Sequence, residues 1–384
     1  MRLKSINYHE WQDTPQEWQL ETLSFGQRML IVGRNTVGKS RSLSVTVGLA
    51  RSLIGVQLPG MSGDYVATFD DDGRNYTYEL KYLESEVVHE RIVIDSVEYL
   101  TRGTGGVGKI IAEKVGTGEF IDFQVPPSTL AAVARRDGIQ HSFIEPLFEW
   151  ANSLRYYQFG GMAQGSLALF VPMGLQVDDR DQNAVVAIFR EGLKLFGSSF
   201  VESIKKDLAA VDYEVDSVEL ASPLSVRFAP GGAQPVSINV KEKELPGITD
   251  QLAMSAGMFR VLALLVHVNF AQFKGSASSV FIDDIGEGLD FDRSCRLIEL
   301  LRAKAVEYNF QLVMSTNDKF VMNHVPLDEW TVLHRSSSVV HVRNHENSRA
   351  AFDDFKFTGL SNFSFFEMNA VEMNHERARE GEDA

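Results

Sequence analysis

Two stretches of this chain carry the residue types that handle phosphate. The first, LIVGRNTVGKS, sets Gly33, Gly38, Lys39 and Ser40 at the spacing G-x-x-x-x-G-K-S/T, directly behind an apolar strand-like run. Glycines at that spacing let backbone N–H groups turn inward around phosphate oxygens, and a following helix presents its positive end to them. Arg34, Asn35, Thr36 and Val37 supply the rest of the cradle. Lys39 would reach the β- and γ-phosphates, and the Ser40 hydroxyl would ligate Mg2+. The second stretch, GTGGVGKI from Gly103 to Ile110, repeats the glycine and lysine spacing. It ends in Ile110, which cannot bind magnesium, and strand-like residues come after it, so it reads as a hairpin connection. Context separates the two loops.

A group of carboxylates stands in FIDDIGEGLD, behind the apolar run SSVFI: Asp283, Asp284, Glu287 and Asp290. Carboxylates at the mouth of a strand hold a metal or activate a water, and the spacing alone leaves open which does which. Upstream, QLAMSAGMFRVLALL places Ser255, Ala256 and Gly257 at the head of an apolar helix, with Arg260 behind them. A hydroxyl and N–H groups at a helix N-terminus form an anion site.

The elements that must position these residues are set by the patterning. At 384 residues, two lobes or one elaborated domain are expected, and 44% apolar with 23% charged residues indicates a folded chain. Alternating runs LKSINYHEW, WQLETLSF and RMLIVG predict strands, so residues 1–59 form the first part of a core that ends on the phosphate loop. YVATFDDDGRNYTYELKYL reads as a hairpin around DDDG, and 60–126 as an antiparallel β lobe. Helical spacing in STLAAVARR, SFIEPLFEWANSLRYY and NAVVAIFREGLKLFGSSFVESIKKDL makes 127–212 a helical insertion. Strands alternating with helices over 213–372 predict a mostly parallel core sheet, and 373–384 is a charged, frayed tail. The aromatic run FDDFKFTGLSNFSFFEM reads first as core packing, with a docking surface as the alternative.

Composition removes several chemistries. A net charge of −15 repels nucleic acid unless a local basic patch overcomes it, so DNA binding is not favoured. A single cysteine, Cys295, excludes an internal disulfide framework and a cysteine-rich zinc site, and fits a reduced, cytoplasmic setting. The start MRLKSINYHEW has no signal-peptide core, and VLALLVHVNFA reads as a buried helix and not a membrane span. No H-E-x-x-H zinc pair or G-x-S-x-G elbow occurs, and TNDK is not a guanine-reading motif. Tyr8, Trp11 and Trp18 could stack on adenine, with core packing the more ordinary use.

Taken in order, the motifs resemble those of ABC-type ATPases. MSAG is similar to their Leu-Ser-Gly-Gly signature, and closer to the Ser-x-Gly-x-x-Arg variant of the branch holding RecF, chromosome-maintenance proteins and the OLD (overcoming lysogenisation defect) nucleases. The resemblance implies an α/β P-loop ATPase head with a mostly parallel core sheet, an antiparallel β lobe and a helical insertion. Its cofactors would be ATP and Mg2+. Two heads would meet head to tail as a dimer or higher oligomer, with Ser255, Ala256 and Gly257 capping the γ-phosphate held by the partner's loop. DDIGEGLD aligns without a gap on the family's Asp-Glu-Pro-x-x-x-Leu-Asp. Asp283 then holds magnesium, Asp290 contacts the opposing subunit, and Asp284 stands where a glutamate orients the attacking water. Aspartate is one methylene shorter, so hydrolysis would be slow or Glu287 would reach in; register favours Asp284. QLVMSTND places Asn317 where the family has histidine, and asparagine cannot carry a proton at neutral pH. LRYYQFGG offers Gln158 as the glutamine of the magnesium shell.

Three jobs fit such an ATPase. The first is a switch that hydrolyses ATP slowly and controls a separate effector, a nuclease or toxin, as ATPases of this branch do in bacterial anti-phage defence. The second is a RecF-like DNA clamp for repair, against which the acidic charge weighs. The third, a transporter motor, suffers from the long gap between Ser40 and Ser255. No sustained heptads supply a chromosome-maintenance coiled coil, and too little chain remains after STND for an OLD nuclease domain. The switch is the preferred reading.

Overall fold

The computed structural model describes residues 1–112, 119–169, 177–226, 235–356 and 358–368. The tail read as frayed lies outside them. The chain divides into two compact units, Met1–Leu154 with Val325–Ala384, and Arg155–His324.

In the first unit the strands take the order Arg28–Val32, Trp330–Ser336, Val339–Asn344, Trp18–Ser24, Arg2–Glu10, Ser62–Asp71, Arg74–Leu83, Glu86–Ile94, Val97–Arg102, Val107–Ile111 and Phe120–Gln124. The sequence alternation produces the lobe directly. Tyr76, Tyr78, Leu80 and Tyr82 are buried on one face of a single strand. Asp72 and Gly73, with φ of 50° and 89°, make the two-residue turn that DDDG foretells. Trp150 of the helix Glu145–Ser153 meets Phe69 edge-on at 4.7 Å and covers that face. Phe352, Phe355 and Phe365 of the C-terminal aromatic run are buried and pack ring against ring.

The expected mostly parallel core sheet is not what forms: the sheet is mixed and largely antiparallel. Arg28–Val32 pairs in parallel with Trp330–Ser336, and Val339–Asn344 with Trp18–Ser24, while the ladders from Arg2–Glu10 through Phe120–Gln124 are antiparallel. The reason lies in the connections. Strands joined by a few residues can only fold back on each other, whereas a parallel pair needs a crossover of a dozen or more.

In the second unit the helix Ala256–Lys274 is the core, with Val261 to Leu265 fully buried. It is long and apolar enough to cross a membrane, yet 72% of it is buried in the protein. The helical run after Asn183 breaks at Gly197 (φ 63°) into Val185–Phe196 and Ser198–Ala210, and both pack on the core helix. Ser279–Asp283 and Gln311–Ser315 pair in parallel, the crossover being the helix Phe291–Glu307. A small antiparallel sheet, built on Val215–Ala221 and Pro235–Glu242, completes the unit.

Candidate functional site

The phosphate loop lies in the first unit, between the strand Arg28–Val32 and the helix Lys39–Leu53. Gly38 caps that helix at φ 111°, a conformation other residues adopt only with strain, and as a glycine it brings no side-chain cap of its own. The first turn carries no acidic residue, so the helix itself supplies no negative charge to its positive end. Lys39 is 6% exposed and donates from Nζ to the carbonyls of Gly33 (2.9 Å) and Arg34 (3.3 Å). Its ammonium is thus held over the loop itself. Arg34, Asn35, Thr36 and Ser40 are exposed, Val37 is buried, and Thr36 has φ 71°. Trp18 and Tyr8 are core residues, as packing predicts, although Trp18 lies close beside Gly38.

The remaining sequence-predicted residues lie in the second unit. Ser255 N-caps the core helix, its Oγ accepting from the Met258 N–H at 3.2 Å, while Ser255 and Ala256 stay exposed. This helix end has no acidic residue in its first turn either. Gly257 backs onto Leu289 and Gly288, which brings the signature against the acidic turn. Arg260 fastens that turn from below, donating to the carbonyls of Glu287 (2.7 Å) and Gly160 (3.2 Å). Ser255 also opens onto a cleft of about 440 Å³ with Tyr213, Glu242, Met258 and Arg293.

The four carboxylates have separate surroundings. Asp283 ends its strand at 4% exposure and accepts a hydrogen bond from the Ser315 hydroxyl. Asp284 is half-buried at φ 52°, its N–H donated to Ser315 Oγ at 3.0 Å. Glu287 is exposed and rests its carboxylate on Gly160, where any β-carbon would collide with it. Asp290 is exposed and caps the helix Phe291–Glu307, accepting from the Arg293 N–H (3.0 Å) and guanidinium (2.9 Å). The Arg293 backbone N–H, with the guanidinium, holds the Asp290 carboxyl below its usual range. Asp290 therefore has an employment within its own chain that the motif alignment does not reveal. Gln158 ends the strand Leu154–Gln158, exposed, beside the turn that seats Glu287. Asn317 is exposed just past the strand Gln311–Ser315, and Asp318 behind it accepts from the Phe320 N–H at 2.7 Å.

The donor set suits magnesium. Asp283 makes no ion pair among the described residues, and a buried carboxylate without a cationic partner is one that a divalent ion neutralises. No cluster of three His, Cys, Asp or Glu side chains occurs among the described residues. Mg2+ does not need one, since it takes one or two carboxylates and keeps water and phosphate ligands. Ser315 and Arg293 escaped the sequence reading. The signal for Ser315 was a hydroxyl at a strand end, which gains meaning only once that strand is paired with Ser279–Asp283.

No family model and no curated protein matches the chain. Solved structures do. An Smc head bound to the C-winged helix domain of ScpA matches with a TM-score of 0.52 at 13% identity, over 89% of this chain and 98% of that one. The SMC head domain from Thermotoga maritima matches with a TM-score of 0.44 at 15% identity, over 90% and 99% of the two chains. An Smc head domain with an extended coiled coil, bound to the C-terminal domain of ScpA derived from Pyrococcus furiosus, gives 0.49 at 11% identity, over 92% and 99%. At these identities the likeness is one of fold and does not select the RecF or OLD branch. The first match carries the assignment: the chain has the ABC-type ATPase fold of an Smc head.

Proposed function

We propose that the chain is an ATP-dependent switch that binds ATP with Mg2+, hydrolyses it slowly as a head-to-tail dimer, and passes its state to a separate protein. The observation that carries this reading is the phosphate loop. A helix N-terminus capped by glycine with no acidic residue in its first turn, and a lysine folded over its own loop carbonyls, form a cradle suited to an anion. The N-terminus at Ser255, Ala256 and Gly257, with Ser255 and Ala256 exposed, would supply a second anion site, suited to the γ-phosphate of a partner's ATP. The sequence resemblance implies Asp283, Ser40 and Gln158 as magnesium ligands, and a bound ion would offset phosphate charge. Asp284, at the strand mouth, would accept a hydrogen bond from the attacking water. Glu287 is the second candidate, but its carboxylate lies against Gly160. Asn317 can donate to a phosphate oxygen and takes no proton, which agrees with a slow turnover. Asp290 would have to exchange Arg293 for the opposing subunit.

A separate partner protein is supported by the Smc head that is bound to a winged-helix domain of ScpA. A nuclease or toxin effector, and with it an anti-phage role in the cytoplasm, comes from the sequence resemblance. The decisive measurement is molar mass by light scattering with a non-hydrolysable ATP analogue. The wild type should associate, and Ser255→Arg should stay monomeric with a loss of about 1 kcal/mol of stability from its cap. A Ser255→Arg protein that associates like the wild type rejects the sandwich. Asp284→Asn should cost turnover about 100-fold or more, and Glu287→Gln only a few-fold. The reverse order would move the water-polarising role to Glu287. Duplex DNA retained only with ATP would favour the RecF-like clamp.

A further inference from the structure

One atom meets both aspartates at the strand mouth. Ser315 is fully buried at the end of Gln311–Ser315, and its Oγ donates to Asp283 Oδ1 while accepting the Asp284 N–H at 3.0 Å. A serine hydroxyl has one proton and two lone pairs, so its donor is spent on the Asp283 carboxylate and cannot serve elsewhere. The backbone around it is fastened as well. The Ile285 N–H donates to the Ser315 carbonyl at 2.9 Å, and Thr316 Oγ1 donates to the Ile285 carbonyl at 3.2 Å. Asp283 Oδ2 takes no hydrogen bond among the described residues. The carboxylate is thus held through Oδ1 by Ser315. Asp284 is held at φ 52°, a backbone state that aspartate adopts more readily than most residues but still at a cost.

We propose that Ser315 is a positioning residue that sets, through a single hydroxyl, both the magnesium carboxylate Asp283 and the water-polarising Asp284. This rests on the ATPase reading above. Outer partners of metal-ligating carboxylates change metal affinity by about 10- to 100-fold when removed. Ser315 is such a partner for Asp283, and its bond to the Asp284 N–H ties the second carboxylate to the same point.

The test is metal binding in the full-length protein, with Mn2+ as the probe, followed by electron paramagnetic resonance in the presence of a non-hydrolysable ATP analogue. Ser315→Ala should weaken Mn2+ about tenfold or more, while metal-free binding of a fluorescent ATP analogue in EDTA stays at the wild-type level. Ser315→Thr and Ser315→Val have one shape and differ by the hydroxyl, so they decide the matter even if the alanine variant misfolds. Thr near the wild type with Val weakened like Ala supports the assignment. Mn2+ affinity unchanged in Ala or Val, or lost equally in Thr and Val, overturns it. Lys39→Ala keeps the two readings apart. If Lys39→Ala abolishes nucleotide binding while Ser315→Val binds Mn2+ normally, only the role of Ser315 fails. If the wild type binds no nucleotide, the ATPase reading itself fails.

Discussion

The loops at Gly33–Ser40 and Gly103–Ile110 share glycine and lysine spacing and fold in opposite ways. In the first, the lysine opens a helix of 15 residues and its side chain turns back, buried, onto the loop. In the second, Thr104–Gly106 makes one tight turn and Lys109 falls inside the strand Val107–Ile111, exposed, between Thr101 and Asp122 on the neighbouring strands. Its backbone N–H and carbonyl lie within a sheet, so they cannot converge on an anion. Ile110, at the position that corresponds to Ser40, is fully buried in the lobe. The difference teaches that a phosphate loop is made by the element on its C-terminal side. Only a helix start leaves several N–H groups unpaired and aimed together.

This comparison can be broken in graded ways. The largest effect is expected from Lys39→Ala, which should lower ATP affinity by at least about 100-fold in a calorimetric titration, since it removes charge-assisted bonds to phosphate. Lys109→Ala should leave affinity unchanged, and any comparable loss there would undo the distinction. Next comes Ile110→Ser, which completes the motif in the second loop. It should create no nucleotide binding and cost about 3 kcal/mol of unfolding free energy, because a buried side chain is replaced by a small polar one. Smallest are Gly38→Ala and Gly105→Ala, at φ 111° and 70°. Each should cost about 1 kcal/mol in chemical denaturation, but only Gly38→Ala should also weaken ATP, by about tenfold.

Much of the lobe was legible because its information is local. Alternation gave the strands around Asp72 and Gly73 their buried faces, and the turn residues set the hairpin. The sheet's direction was not legible. Alternation of strand and helix in the last third suggested a mostly parallel sheet, but short connections elsewhere make it largely antiparallel. The helical run after Asn183 hid its break, since Gly197 fits a helix pattern until its φ of 63° is known. At the candidate site, the motif residues stood in the sequence, while their partners Ser315 and Arg293 did not show themselves there. Asp290 read as a contact for another subunit, while its carboxylate caps its own helix against Arg293.

By itself, the sequence determined the chemistry on offer: a glycine-lined cradle with a lysine and a hydroxyl, a Ser-Ala-Gly helix start, and four carboxylates behind a strand. Those are properties of neighbours in the chain, set by φ/ψ preference and by the orphan groups of helix ends. Tertiary structure alone decided which partners the carboxylates meet. Ser315 meets Asp283 because two strands 32 residues apart pair in parallel, and Glu287 meets the distant Gly160 because one glycine leaves room for a carboxylate. Such contacts arise from strand pairing and packing, where no local preference of the chain can announce them.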